Sequence, residues 1–418
     1  MIFAGGAKII GLAKEMAVAS TFGIGPAIDA YLFLFNILST PVSIWYGTIF
    51  ATLVPALIRM QRQSAERAER FRSEFLAFSM VAGIVAGMIT GLGLYAFVKA
   101  GISGLDTRAV GDAQTMLPWL WVIVPCLFVA QYGASCLMAR NLHGNSLYEG
   151  APALAILVGI LVFPGTIATL AIATVVGAVL QLAITLRAMR RSGDLAGVAL
   201  RHTRGVWKGF WPGFAVMAAV QGLQSASPVI DQLIAAQLPT GSLSTFGYAL
   251  RVQGLFLTLI ALAVPRVLLP ALTAIADGRA DEKQRFVRRW ALFLGGAGVA
   301  AAGAISLLST PIVRMLFQRG SFTAADTDAV AALLVVMIWQ LPFYTLALLF
   351  SQHSISDGRY RSIAAVTVAM LVVKLTGGLA LVWQFGLLGL AASGVVVFAF
   401  QAGALFLLGS LKRRGESS

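Results

Sequence analysis

Charged residues are scarce in this sequence. Only 11% of its 418 residues are Asp, Glu, Lys or Arg, whereas 58% are hydrophobic, and the mean hydropathy is +0.85. A soluble globular protein has roughly a quarter of its residues charged, so that class is excluded and the chain must be solvated by lipid. Because a membrane-crossing helix needs about 20 mostly apolar residues, the length accommodates roughly twelve spans and no soluble catalytic domain.

Residues that usually carry enzyme or metal chemistry are also few. The two cysteines, Cys126 and Cys136, lie about 15 Å apart along one predicted helix, too far for a disulfide bond. The three histidines stand singly, without metal-ligand spacing. No paired-carboxylate motif, phosphate-binding glycine loop or nucleophile beside a histidine occurs in the sequence. We therefore expect no catalytic residue, no metal and no cofactor, and leave open a coupling ion or the membrane potential.

Acidic residues are outnumbered by basic ones, which gives a net charge of +14. Twenty-two of the 31 Lys and Arg residues fall in loops after even-numbered predicted spans. Only Lys99, Arg108, Arg314 and Arg319 fall in the other loops. The positive-inside rule then predicts that both termini are cytoplasmic. Basic loops placed in this way predict topology signals and contacts with anionic membrane lipids, and not nucleic-acid binding.

The apolar runs predict an all-α polytopic membrane protein of about twelve spans. These spans lie at approximately 2–21, 29–58, 75–98, 116–138, 151–164, 166–187, 209–237, 242–273, 290–314, 329–351, 362–384 and 387–409. A weak repeat, GIGPAIDAYLFLF…LVPALIRM and GSLSTFGYALRVQ…LLPALTAIA, recurs six spans apart. It predicts two six-helix bundles of like orientation, 1–187 and 209–418, around a central cavity and joined by a basic linker, 188–208. Chance similarity among apolar helices is the alternative.

Ionisable residues inside the predicted spans are the candidates for function, because each costs about 2.5–3.5 kcal/mol at the bilayer centre. Lys8 and Glu15 share a helix face, whereas Lys14 points about 120° away. We therefore expect one lysine to be neutralised and the other to remain available to an anionic substrate.

Further charged residues lie in later spans. A guanidinium at Arg251 suits the clamping of phosphate oxygens, with a structural ion pair to Asp231 or Asp29 as the alternative. Lys374 either pairs with Asp231 or provides a fixed charge where a coupling cation would otherwise bind. Asp29, at the start of the second span, is interpreted as a supporting or gating charge together with Glu15, Asp231 and Lys374.

Several segments resemble one known family. AKIIGLAKEMAVASTFGIGPAIDAYLFLF resembles the first two helices of the MviN/MurJ flippases, which read roughly [ST]-R-x-x-G-x-x-R-D, then F-G-x-G, then D-A-F. IDQLIAAQLPTGSLSTFGYALRV is similar to that family's I-D-x-x-x-A-x-x-L-x-x-G-S-x-S…Y-A-x-R junction, and FQRGSFTAADT to its R-G-x-F-T-x-x-D-T loop. The matches are spread over most of the chain and place it in the multidrug/oligosaccharidyl-lipid/polysaccharide exporter superfamily.

The resemblance implies an alternating-access flippase of the bacterial inner membrane. Such a protein carries undecaprenyl-pyrophosphate-linked sugars from the inner to the outer leaflet, and cations in the central cavity grip the pyrophosphate. Lys8 and Lys14 stand where the family has its two first-helix arginines, and Glu15 stands at its aspartate. Asp29 matches another family aspartate, and Arg251 matches the eighth-helix arginine. The implied pyrophosphate contacts are therefore Lys8, Lys14 and Arg251.

The sequence departs from the family pattern in four places. The second-helix arginine has no counterpart, since NILSTPVSIWYGT is uncharged, and the first-helix lysines lack the bidentate geometry of arginine. Two additional C-terminal helices of the lipid II flippases are expected to be absent, and the chain starts later than the family pattern. Whether Met1 is the true start stays open. So does the choice between a lipid II-like glycan and an exopolysaccharide or surface-glycan repeat unit.

Three functions are compatible with these residues. The first is the lipid-linked glycan flippase, with the glycan and membrane lipids as partners and with glycan synthases or a polymerase as further partners. The second is a cation-coupled drug exporter of the same superfamily, which the mostly cationic in-span residues oppose. The third is a non-transporting membrane partner of glycan synthases. Leaflet transfer of a lipid-pyrophosphate sugar by the purified protein distinguishes the first from the others.

Overall fold

The described part of the chain is built from helices. The computed structural model describes residues 2–140, 148, 150–163, 165–195, 197–201, 203–275, 280–357 and 359–416. Helix accounts for 88% of the structure, and no strand occurs among the described residues. The predicted all-α fold class of a polytopic membrane protein is therefore confirmed.

The first of two compact units contains Met1–Gly241 together with Arg319–Phe322. Its helices are α1 (Ile2–Phe22), α2 (Pro26–Gln63), α3 (Ala65–Lys99), α4 (Thr107–Leu120), α5 (Ile123–Ala139), α6 (Ala151–Val162), α7 (Ile167–Ser192), α8 (Arg204–Trp207) and α9 (Phe210–Ala236). Helix α1 stops before Gly23 (φ +60°) and α7 stops at Gly193 (φ +71°). Both glycines adopt the left-handed conformation that commonly ends a helix.

The second unit contains Ser242–Gln318 and Thr323–Ser418. Its helices are α10 (Ser242–Ala274), α11 (Ala280–Leu307), α12 (Ser309–Phe317), α13 (Ala324–Ile338), α14 (Gln340–Ser356) and α15 (Tyr360–Glu416). A cluster of buried apolar side chains contributed by α10, α11, α14 and α15 forms its core, and Leu268, Leu272 and Leu349 in this cluster are fully buried.

The observed helices cover the predicted spans, but some helices are bent, short or merged. Eight described helices are long and apolar enough to cross a bilayer, or nine when α4 and α5, bent by 44°, count as one span. The last two predicted spans both lie in α15, whose backbone is non-helical at Gly386. Helix α6 is shorter, at 12 residues. The total of twelve spans stays a prediction.

Close packing of α3 against α5 depends on glycines. A methyl group at Gly83 would lie 2.9 Å from Pro125 Cα and from Phe128 Cβ, and one at Gly91 would lie 3.0 Å from Trp121 Cβ. Only a residue without a side chain permits helices to approach so closely. The glycine spacing in this span thus serves helix packing.

The connection between α7 and α9 is docked on the start of α3. Asp194, only 1% exposed, forms ion pairs with the buried Arg72 and, at 2.7 Å, with Arg140. The buried Glu74 accepts hydrogen bonds from Thr203 Oγ1 (2.6 Å) and from Trp207 Nε1 (2.6 Å). Two buried carboxylates therefore hold the segment that the sequence presents as a basic linker.

The compact units divide after Gly241, whereas the repeat predicts a division at 188–208. Helix α9, predicted as the first helix of the second bundle, groups with the first unit because it packs against α2. A methyl group at Gly47 of α2 would lie 2.4 Å from the Gln221 side chain of α9. Packing and sequence repeat are different criteria for dividing the chain, and the two repeated bundles stay a prediction.

Removal of the Asp194 carboxylate is expected to destabilise the first unit. The Asp194→Ala change leaves Arg72 buried without this carboxylate, and breaking a buried ion pair costs roughly 3–5 kcal/mol. Thermal unfolding in detergent measures the loss. Glu66→Ala is the control, because Glu66 pairs with Arg70 on the surface with both side chains more than half exposed. Equal shifts of the unfolding midpoint in the two variants would contradict the role assigned to Asp194.

Candidate functional site

Three turns of the first unit meet at one place, which we call the turn cluster: residues 20–25, 237–241 and 319–322. The Ser321 backbone N–H donates to the Ser20 carbonyl at 2.7 Å. Two glycines of these turns, Gly23 and Gly320, leave no space for side chains. A methyl group at Gly320 would lie 2.2 Å from the Ser20 carbonyl oxygen, and one at Gly23 would lie 2.5 Å from the Ser321 carbonyl oxygen. Both glycines also have positive φ.

Asp29 joins the third turn to this cluster. Its side chain is 5% exposed, and its Oδ2 accepts a hydrogen bond of 2.6 Å from the Gly241 backbone N–H. The carboxylate lies in the first turn of α2, where the helix dipole stabilises a negative charge. Gly241 has φ +89°, and a methyl group there would lie 2.9 Å from Ile24 Cγ2. Asp29 thus anchors a turn that is more than 200 residues away in sequence.

The turn cluster gathers the segments GIGPAID, PTGS and RGSF, which carry much of the family resemblance. Sequence reasoning identified each segment but did not predict that they meet. The signal available for this was the presence of glycine in all three turns, because glycines are needed wherever backbones approach closely. Spacing along the chain gives no direct measure of such a contact.

Lys14 and Glu15 form an ion pair on α1. Lys14 Nζ lies 2.5 Å from Glu15 Oε1, and each side chain is 17% exposed. We predicted from helix geometry that Glu15 shares a face with Lys8. In the structure the carboxylate reaches the adjacent Lys14, because two long side chains can converge from neighbouring positions, and the shared face with Lys8 stays a prediction. The side chain of Lys8 lies outside the described residues.

Arg251 lies on α10 and stacks on an aromatic ring. Its guanidinium carbon lies 5.2 Å from the centre of the Tyr248 ring, which is fully buried and packs against Phe317 at 5.1 Å. Cation–π stacking of this kind orients a guanidinium while its N–H groups stay at the edge of the plane. The phosphate contact expected of Arg251 stays a prediction.

Lys374 is buried inside the second unit. Its side chain is 3% exposed, and Nζ donates to Ser393 Oγ at 2.8 Å. Ser393 donates in turn to the Leu390 carbonyl at 2.7 Å. The two residues lie on either side of Gly386, where α15 breaks, so the lysine connects the two segments of this helix. The ammonium thus faces the interior of the unit, and the two hypotheses for Lys374, a pair with Asp231 and a fixed charge, both stay predictions.

The remaining predicted residue, Asp231, lies on α9 with a partly buried side chain. Within the described residues, no group of three or more His, Cys, Asp or Glu is arranged to hold a metal ion. The predicted site residues therefore fall into local pairs: Lys14 with Glu15, Asp29 with Gly241, Arg251 with Tyr248, and Lys374 with Ser393. Each of these ionisable side chains thus has a partner close to it in the structure.

Comparison with known families gives one consistent result. A family model described as "Lipid II flippase MurJ" matches residues 18–416. A probable lipid II flippase MurJ of Bdellovibrio bacteriovorus is 28% identical, over 97% of this chain and 79% of its own length. The lipid II flippase MurJ of Burkholderia cenocepacia is 26% identical, over 98% of this chain and 81% of its own.

Solved structures of the superfamily share the fold. A lipid II flippase MurJ in an inward closed conformation has a TM-score of 0.77 at 20% identity, covering 97% of this chain and 86% of its own. An inward-facing multidrug resistance transporter of the MATE family also has a TM-score of 0.77, at 15% identity, covering 97% and 94%. At these identities the likeness concerns the fold.

A side chain in the turn cluster is expected to disrupt it. Gly320→Ala places a methyl group against the Ser20 carbonyl and strains a positive φ, so we expect a loss of about 1–3 kcal/mol in unfolding free energy. The matched control is Gly25→Ala in the same cluster, where no atom lies within 4 Å of the new methyl group. Thermal unfolding of both variants tests this. Equal stability of the two would show that the turns do not need to pack as described.

Proposed function

The chain belongs to the MurJ lipid II flippase family, and from that premise we propose that it moves a polyprenyl-pyrophosphate-linked sugar precursor across the bacterial inner membrane. The observation that carries the proposal is the uninterrupted match of the family model to residues 18–416. The protein is a transporter and not an enzyme. It moves its substrate from the inner to the outer leaflet by alternating access, and both of its termini are cytoplasmic.

The pyrophosphate is the part of the substrate that this chain is best equipped to recognise. Arg251, oriented by Tyr248, presents planar N–H donors that match phosphate oxygens. The charge of Lys14 is balanced by Glu15 in an ion pair. Lys14 therefore contacts the substrate only when an incoming phosphate displaces this carboxylate. We therefore assign the principal phosphate contact to Arg251, with Lys14 and Lys8 assisting.

The glycan itself is less restricted than the phosphate. A lysine forms a point-charge contact with phosphate, whereas arginine adds two directed hydrogen bonds. With lysines at both first-helix positions, the chain holds the phosphate with fewer directed bonds than the family pattern provides. The substrate class thus extends from a lipid II-like precursor to a repeat unit of an exopolysaccharide or surface glycan. Glycan synthases or a polymerase would then supply or receive the precursor.

Replacement of Arg251 tests the proposed function. We expect Arg251→Ala to lower leaflet transfer of a fluorescent polyprenyl-pyrophosphate sugar at least tenfold in liposomes containing only this protein, since a charge-assisted bond contributes about 1.5–3 kcal/mol. Arg266→Ala is the control, because Arg266 lies on the same helix with an exposed side chain. Normal transfer by Arg251→Ala, at wild-type protein levels in the vesicles, would refute the assignment.

Lys374 bears on the coupling of transport. We infer that its buried ammonium supplies a fixed positive charge, so that a bound coupling cation is unnecessary at this place. Transfer by the wild type is then expected to be the same in sodium and in choline buffers. Lys374→Met keeps the length of the side chain but removes the charge, and it should lower transfer without creating sodium dependence by itself. A sodium requirement in the wild type would contradict this inference.

A further inference from the structure

A polar recess lies in the second unit, and neither Arg251 nor Lys374 lines it. It is an open cavity of about 550 Å³ formed by the end of α10 and the first turns of α11. Ala271 of α10 and Ile275, which directly follows this helix, form an apolar wall, and α11 contributes charged and aromatic side chains. The charged and aromatic lining consists of Glu282, Arg285, Phe286, Arg289 and Trp290.

The wall contributed by α11 has two different halves. Arg285 and Arg289 are one helical turn apart and therefore project from the same face. Phe286 and Trp290 form the neighbouring line, with their ring centres 5.9 Å apart. Both arginines are exposed, whereas the two aromatic side chains are partly buried against the apolar core of the unit. A ligand in this cavity therefore meets two arginines against the single carboxylate of Glu282 on the charged side and apolar rings on the other.

The position of the cavity along α11 places it at the depth of the lipid headgroups. Arg289 is the last charged residue of the helix, since residues 290–307 contain no Asp, Glu, Lys or Arg. The candidate membrane span runs from Glu282 to Leu307. Trp290 thus stands where the apolar part begins, a position typical of tryptophan at a membrane interface. The two arginines are then level with the phosphate groups of one leaflet.

The start of α11 is fixed by an ion cluster on another side of the helix. Lys283 Nζ lies 2.5 Å from Asp357 Oδ1, and Arg359 also pairs with Asp357. Burial raises the pKa of Asp357, but hydrogen bonds from Lys283 and Arg359 outweigh burial and hold this pKa below its usual range. The carboxylate thus stays ionised near neutral pH, and Lys283 serves as an anchor. The anchored helix start keeps Arg285 and Arg289 in place at the cavity.

We propose that this cavity binds the headgroup of an anionic membrane phospholipid. The phosphate lies between Arg285 and Arg289, and the first part of an acyl chain packs on Phe286 and Trp290. Basic recesses between membrane helices commonly bind anionic lipid headgroups in this way. The proposal does not depend on the transported substrate, because none of the residues assigned to transport lines the cavity.

The test compares two arginines of the same helical turn. Full-length protein in neutral detergent is titrated with phosphatidylglycerol, or with phosphatidylcholine as the zwitterionic control, and bound lipid is counted by native mass spectrometry. Arg289→Ala is expected to weaken phosphatidylglycerol binding about fivefold. Arg288→Ala removes the same charge from a position that does not line the cavity, and it should change binding less than twofold. Phosphatidylcholine binding should be unaffected by both changes.

Two results would overturn the proposal. Equal weakening by Arg288→Ala and Arg289→Ala would mean that general surface charge, and not the cavity, attracts the lipid. Displacement of phosphatidylglycerol by farnesyl diphosphate in the wild type, lost in Arg289→Ala, would assign the cavity to a polyprenyl diphosphate instead. If Arg289→Ala does not yield folded protein, Arg285→Ala makes the same comparison. Leaflet transfer by the same variants reconstituted in liposomes separates this outcome from a failure of the proposed transport.

Discussion

The cost of placing a charged side chain among lipids determines how the ions of this protein are arranged. At the bilayer centre this cost is about 2.5–3.5 kcal/mol for each residue, so an in-span ion persists only where the protein supplies a local partner. Lys14 has a carboxylate, Lys374 a hydroxyl, Arg251 an aromatic ring and Asp29 a backbone amide. The four partners differ in kind, from an opposite charge to a neutral hydroxyl, a ring and a backbone amide.

The same constraint explains the segment between α7 and α9. Its composition is basic, and basic segments are usually solvated loops. Asp194 and Glu74 are nevertheless buried, and they bind donors from the segment and from its neighbouring helices. Each carboxylate satisfies several donors at once, which compensates for its loss of water. A short run of polar residues thus becomes a fixed part of the first unit.

Composition and periodicity were sufficient to predict the fold class, the approximate helix positions and the candidate ions. They did not predict the ion pair between Glu15 and the adjacent Lys14, and the predicted shared face of Glu15 and Lys8 stays a prediction, because the Lys8 side chain lies outside the described residues. Pairing depends on side-chain conformation and on neighbouring helices, which a single helix projection omits. The contact of Asp29 with Gly241 was equally inaccessible, because the two residues are joined only by the tertiary fold.

The turn cluster separates what the family motifs do from what the transported substrate requires. Gly23, Gly241 and Gly320 are needed because other backbone or side-chain atoms occupy the space of a side chain. Their motifs therefore report the packing of three turns. The cations predicted to contact phosphate all lie outside this cluster. Two of them, Lys8 and Lys14, are lysines where the family pattern has arginines, and a lysine lacks the paired, directed hydrogen bonds of a guanidinium. The packed turns thus follow the family pattern, whereas the predicted phosphate contacts depart from it.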